Sequence, residues 1–262
     1  IERIHYTETN ICGKLVREAS IDLKENDVMV FVSDGALYAS AGQSLNLNWK
    51  WEDIAKHLKI NVRDSMSALD IKNNLLGVCD QMYLFEPGDD TTVCVLKAVK
   101  PKKVKLFTGP PSHKEDDAKV VHELMNNADI RIVSGGTTSQ IVARELGVEV
   151  KSSTEIYDKE VPPIAYIQGV DLVTEGVLTL SKTIDRLKSL SKSLDSDIFK
   201  AKDGASQMAK LLYSASHIKL LVGRSLNIAN AESSFQRDLE LRLHVVGELE
   251  KILVKLGKIV RS

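Results

Sequence analysis

An α/β protein in two parts is what this 262-residue sequence predicts, and three observations carry the expectation. Two strand-like runs, 28–32 and 93–96, enclose a pair of helical stretches. A charged joint follows at 97–105, with Pro101 in its middle. Beyond it, short apolar runs alternate with helical periodicities, the pattern of a mostly parallel sheet. The boundary falls near residue 100, giving a first domain at 1–99 and a second at 100–262. The length suits about two domains at ~150 residues each.

In the first domain, residues 1–35 read as β structure: a strand at 14–22, a polar turn at Lys24-Glu25-Asn26-Asp27, and an apolar strand ending at Asp34. Helices are expected at 49–60 and 67–80; in the second, Leu69, Ile71, Leu75, Leu76 and Cys79 recur near helical spacing. Pro87-Gly88 interrupts the chain before the last strand. The second domain opens with a strand at 104–108. Ser112 and Glu115 form a capping box for a helix that lines up Val121, Leu124, Met125 and Ala128. A strand follows at 130–133, then a helix capped by Thr137 or Thr138 and ended by Gly147. Further strands are expected at 148–150, within 165–173 and at 217–222, with helices at 177–190 and 206–215. The tail, 239–258, is amphipathic along Leu249, Ile252, Leu253 and Leu256; it is either a helix docked on the domain or one that binds a partner.

The 43% hydrophobic content supports packed cores rather than disorder. Thirty-five basic residues against 36 acidic ones leave a net charge of -1. That balance argues against a general nucleic-acid or membrane-surface binder, and no apolar run approaches the ~18 residues of a membrane span. Cys12, Cys79 and Cys94 form no Cys-x-x-Cys pair and are expected as buried free thiols, with no disulfide framework or zinc site. A reducing, cytoplasmic setting follows from them. The six histidines show no metal-binding spacing.

The sharpest chemical signal is a pair of acidic turns. Ser33-Asp34-Gly35 closes the run Val28-Met29-Val30-Phe31-Val32, and Asp89-Asp90-Thr91-Thr92 opens Val93-Cys94-Val95-Leu96. Aspartates favour turns because they bond nearby backbone amides. Two carboxylates at strand ends are also placed to share a hard divalent ion, since Mg²⁺ and Mn²⁺ prefer oxygen ligands.

Together with Lys24-Glu25-Asn26-Asp27, these two motifs resemble the C-terminal half of a metal-dependent protein phosphatase (PPM family) of the stage II sporulation protein E type. The resemblance covers residues 13–98. It implies part of a PPM-type α/β sandwich and a two-metal site of Mn²⁺ or Mg²⁺ with Asp34 and Asp89 among the ligands. Asp90 then shapes the turn, and no catalytic side chain is expected apart from the metal ligands. The implied activity is hydrolysis of serine or threonine phosphomonoesters by a metal-activated water, without a phospho-enzyme. The implied setting is bacterial signalling, with a phosphorylated protein, such as an anti-anti-sigma-like factor, as substrate.

The family's earlier acidic motifs, one an Asp-Gly-x-Gly loop, have no counterpart before Asp34; Asp22 and Asp27 are the only earlier aspartates and neither precedes Gly. The expectation is therefore a fragment of a longer phosphatase, with an incomplete metal site and weak or no activity alone. A different-class alternative is a non-catalytic α/β ligand- or partner-binding regulatory module.

In the second domain, Ser134-Gly135-Gly136-Thr137-Thr138-Ser139 places glycines after a strand and hydroxyls at a helix start. Gly135, Gly136, Thr137 and Thr138 suit an anion, because backbone N–H groups are exposed there and no Cβ stands in the way. The segment lacks a Walker Gly-Lys-Ser/Thr and a Gly-x-Gly-x-x-Gly fingerprint, so a plain strand–turn–helix connection reads equally well. Thr108-Gly109-Pro110-Pro111 and 171–176 are transitions of the same kind. If their strands are parallel neighbours, Asp171 and Glu175 meet a ligand at Gly135-Gly136; otherwise they are turn and cap residues. A nucleotide- or sugar-phosphate-binding enzyme built on 100–262 is a third reading. The stretches Ser134-Gly135-Gly136-Thr137-Thr138 and Thr174-Glu175-Gly176 also resemble a domain that follows the phosphatase module in some anaerobic bacterial proteins, a likeness that implies no activity.

Overall fold

A computed structural model describes residues 4–40, 49–86, 88–190, 200–225 and 232–262, the last segment by backbone alone over 232–238. The chain divides after Lys100 into two compact units, Ile1–Lys100 and Pro101–Ser262.

The first unit opens with a hairpin, β1 (Thr7–Ile11) and β2 (Lys14–Glu18). Its turn, Cys12-Gly13, has positive φ at both residues, 53° and 80°, and the Asn10 side chain accepts from Gly13 N at 2.9 Å. Positive φ at both central residues matches the right-handed strand twist. The hairpin is exposed along its whole length, and β1 lies in the 1–35 stretch expected as β structure, ahead of the first strand placed there. A separate antiparallel ladder joins β3 (Val28–Val32) to β4 (Val93–Lys97), pairing Val32 with Val93. Alternation assigns its faces. Val30, Val32, Val93 and Val95 turn toward the helices, whereas Phe31, Cys94 and Leu96 are exposed.

Between the strands run α1 (Asp34–Leu37), α2 (Trp51–Asn61) and α3 (Ala68–Met82). Ser67 and Asp70 close a capping box on α3, satisfying two donors that its first turn would leave open. Ile54, Leu75, Cys79 and Tyr83 bury the helix stripes against Val93.

The second unit is built on one seven-stranded sheet ordered β11-β10-β5-β6-β9-β8-β7. Its parallel strands are β5 (Lys103–Thr108), β6 (Ile130–Ser134), β9 (Leu172–Thr174), β10 (His217–Val222) and β11 (Ile259–Arg261), the last at one edge. The antiparallel pair β7 (Lys151–Ser152) and β8 (Ala165–Tyr166) extends one edge. One face is covered by α4 (Asp117–Met125) and α5 (Gly136–Leu146). The other face carries α6 (Val177–Leu190), α7 (Gly204–Ser214) and α8 (Glu232–Lys255). Helices on both faces explain why the strand runs Val104–Phe107 and Ile130–Val133 are apolar but for Lys105 and Arg131.

Several expectations give way. The capping box at Ser112 and Glu115 is replaced by a 3-10 turn, Lys114–Asp116, and α4 starts only at Asp117. Gly135, not Thr137 or Thr138, precedes α5, with φ 118° and no side-chain cap. Val148 and Val150 pack against the core from a loop, so the strand forms later, at β7. The strands expected within 165–173 are present as two short pieces, β8 and β9. Asp203 caps α7 through Ala205 N and Ser206 N, so that helix starts two residues early. Cys12 and Cys94 are exposed, and only Cys79 is buried; burial pushes its thiol up to about 11.

Candidate functional site

The antiparallel register of β3 and β4 brings the two acidic turns to one end of one ladder. Ser33 N donates to Thr92 O at 3.0 Å, carrying the pairing one step past Val32 and Val93. The Ser33 hydroxyl then spans the gap, donating to Asp90 O at 3.1 Å and accepting from Thr92 N at 2.9 Å. Gly35 closes the contact. A Cβ there would stand 2.5 Å from Asp90 O and 3.1 Å from Thr91 Oγ1, so no larger residue lets the turns approach this way. Tyr83, 3% exposed, donates to Gly35 O at 2.9 Å from beneath. Burial pushes its phenol up, and the charges of Asp89, Cys79 and Asp34 add to that, against a bond to the Thr91 side chain. The strand expected to run to Asp34 stops at Val32, and Asp34 begins α1.

Asp34 and Asp89 are both exposed. Asp34 Oδ1 accepts from Gly35 N at 3.1 Å, and Asp89 Oδ1 accepts from Asp90 N at 2.8 Å. Each carboxylate is thus oriented by the amide that follows it. The donors fit one Mg²⁺ or Mn²⁺ in kind, since such ions keep several waters and take one or two carboxylates. They do not amount to a two-metal site: among the described residues, no three His, Cys, Asp or Glu side chains group closely enough to hold an ion. Asp90 contributes its carbonyl to the clamp, which agrees with a turn-shaping role.

No family model, curated protein or solved structure matches the chain. What the sites can do therefore rests on their geometry.

The second unit gathers its candidate residues at the carboxyl ends of its parallel strands, where open α/β sheets usually bind ligands. Thr108, Ser134 and Thr174 stand in one register row as the last residues of β5, β6 and β9, and all three are buried. Their loops are tied together by hydroxyls. Ser134 Oγ donates to Glu175 O at 2.9 Å, Thr174 Oγ1 donates to the same carbonyl at 3.0 Å, and Gly109 N donates to Thr138 Oγ1 at 2.9 Å. Gly135 N donates to Thr174 O at 2.9 Å. Thr138 is therefore engaged in joining loops, while Gly136 and Thr137, both exposed, are the part of the motif that faces solvent.

Glu175 lies on this rim and is exposed. Asp171 does not reach it. Asp171 precedes β9 at the strand's amino end, where its Oδ2 accepts from Arg131 N at 2.7 Å. Because β9 and β6 are parallel, that is the opposite end from Gly135.

Sequence reasoning put the Thr108, Ser134 and Thr174 transitions on one rim on the condition that their strands are parallel neighbours, which they are. It passed over Ser33 as the tie between the acidic turns and Tyr83 as the brace under Gly35. A signal for the row was present, since three strands end in a hydroxyl residue with glycine one or two positions later. Nothing local pointed to Tyr83, whose partner lies 48 residues away. An open hollow of about 520 Å³, lined by Gly147, Val148, Glu149, Lys151, Tyr166 and Gln168, sits at the carboxyl end of α5, remote from Gly136.

Proposed function

We propose that the first unit supplies the Asp34 and Asp89 arm of a Mn²⁺- or Mg²⁺-dependent serine/threonine phosphoprotein phosphatase. In this reading the second unit is an α/β domain that binds a ligand or positions a partner. One observation carries the reading: two acidic turns remote in sequence are clamped side by side by Ser33, with both carboxylates open to water. Bound there, a divalent ion would polarise a phosphoryl oxygen and acidify a water. The chain's own share is to present two oriented carboxylates on a rigid ladder end. Two carboxylates are too few for the pair of ions such hydrolysis uses, so low turnover belongs to the proposal. Bacterial origin, a cytoplasmic setting and a phosphoprotein substrate belong to it as well; no described helix is long and apolar enough to cross a membrane.

The test is manganese-dependent hydrolysis of p-nitrophenyl phosphate and of a phosphoserine peptide. Low turnover by this chain, removed in D34A and in D89A, is the expected result. Turnover that persists in D89A takes Asp89 out of the mechanism.

The scarcity of converging acidic donors among the described residues favours a second reading, a non-catalytic regulatory module. Its signature is absence of turnover together with thermal stabilisation of the chain by a nucleotide or sugar phosphate held at Gly136 and Thr137. A reading frame that supplies an Asp-Gly-x-Gly turn before Ile1 decides for the enzyme.

A further inference from the structure

We infer that the open face of β10 and β11 is a docking surface for an acidic amphipathic helix of a partner protein. The inference rests on the partner-positioning role proposed for the second unit and needs nothing from the acidic turns. Alternation sets the two faces of these strands. Ile218, Leu220 and Val260 point into the core beneath α6, α7 and α8, whereas His217, Lys219, Ile259 and Arg261 on the opposite face are exposed. That opposite face is the one α4 and α5 cover further along the sheet, over β5, β6 and β9. Across it runs one register row of four basic residues, Arg131, Lys105, Lys219 and Arg261, on the consecutive strands β6, β5, β10 and β11.

The inner two members of the row serve the fold. Arg131 Nε and Nη2 donate to Met125 O at 3.3 and 3.2 Å, and Lys105 Nζ donates to Glu123 O at 2.6 Å and Asn126 O at 2.7 Å. Cations belong there, because the carboxyl end of α4 presents open carbonyls and a negative dipole end. The outer two have no such task. Lys219 Nζ shares Glu123 Oε1 with Lys105, at 2.9 and 2.6 Å, and the Arg261 side chain bonds no described residue. Adjacent strands lie about 4.8 Å apart, so the charges of Lys219 and Arg261 repel each other. Lys103, exposed in the next row beside His217, adds to the same field. Asp129, at the foot of that row, is held by Lys103 N at 2.8 Å. Carboxylates from outside the chain would relieve this repulsion. The occupant's shape follows from the size of the patch. Two strands span about 10 Å, close to the diameter of one helix, so a helix fills the layer beside α4. Leu221, half-buried, and Ile259, exposed, offer apolar contact to its inner stripe. RNA fits less well, since neither strand carries a Phe, Tyr or Trp on which a base could stack.

The test is fluorescence anisotropy of the 262-residue chain with a labelled peptide made of two Leu-Glu-Glu-Leu-Leu-Glu-Glu repeats. Wild type binds it, more weakly as salt rises, and ¹⁵N amide shifts concentrate at 217–221 and 259–261. K219E/R261E weakens binding about tenfold, because two attractive contacts become repulsive. I259S weakens it about threefold through lost apolar contact. The control K159E/K202E makes the same charge change at exposed lysines in the connections before β8 and α7, and it binds as wild type does. All the substituted side chains are exposed, so circular dichroism of each variant matches wild type. Equal weakening in K219E/R261E and in the control reduces the effect to overall charge and overturns the inference. A wild-type chain that leaves the peptide unbound also overturns it, and the basic row then only guards an edge strand against pairing. Labelled oligouridine that binds this face more tightly than the peptide overturns it in favour of RNA. None of these results touches Asp34 and Asp89, which hydrolysis tests, or the phosphate held at Gly136 and Thr137, which thermal stabilisation tests.

Discussion

At the residue scale, the closest constraint in the first unit is the missing Cβ of Gly35. A methyl group would meet the Asp90 backbone, 2.5 Å from its O, which cannot swing aside, so G35A is expected to destabilise by about 2 kcal/mol, the usual cost of overpacking. Urea denaturation measures it, and a G35A chain as stable as wild type would show that the turns do not pack as described. Glu123 offers a test by pH. The Lys105 and Lys219 side chains bond its carboxyl and hold it at about 2, below the ordinary 4.5. The unfolded chain therefore takes up the proton first. The contribution is complete above pH 4.5 and disappears as the pH falls from there through about 2. E123Q should flatten the loss of stability over that window, and an unaltered pH profile in E123Q would remove this pair from the account. That Asp-Gly and Gly-Asp-Asp turns are special was legible from residue types. That Ser33 joins them and Tyr83 braces the first from beneath was not, because neither bond has a local signature.

At the element scale, most helices and strands follow from periodicity, and the misses share a cause. The strand expected at 148–150 stays a loop because Val148 and Val150 satisfy the core without pairing. The cap expected at Thr138 fails because its hydroxyl is used in a tertiary bond, accepting from Gly109 N. Asp203 shows a cap with more than local duty. It accepts from two amides of α7, and its Oδ2 meets the Arg186 guanidinium at 2.6 Å, which also pairs with Asp158 at 2.8 Å. Both side chains are largely buried. D203A thus loses the cap and leaves Arg186 short of a counter-charge, and about 3 kcal/mol is expected from breaking a buried pair. Chemical denaturation checks it; a loss of only about 1 kcal/mol would mean the cap alone matters.

At the scale of the whole molecule, the cores of the second unit draw, among the described residues, on those from Val104 onward. Residues 101–262 alone should therefore unfold cooperatively with a mixed α/β circular dichroism spectrum, and a molten spectrum would count against an independent core. By itself the sequence determined the class: apolar runs of strand length alternating with amphipathic helices permit an α/β arrangement, and the charged joint with Pro101 lies where the two units part. It also singled out the turns that are candidates for chemistry, since glycine, aspartate and hydroxyl residues are read locally. Only the tertiary structure decided the order of strands, with β5 between β10 and β6. That order in turn put Glu175 on the rim with Gly135 and Gly136 and sent Asp171 to the far end. The physical reason is that strand pairing and side-chain bridges are contacts between residues tens of positions apart, whereas periodicity and turn preference express only the forces between near neighbours.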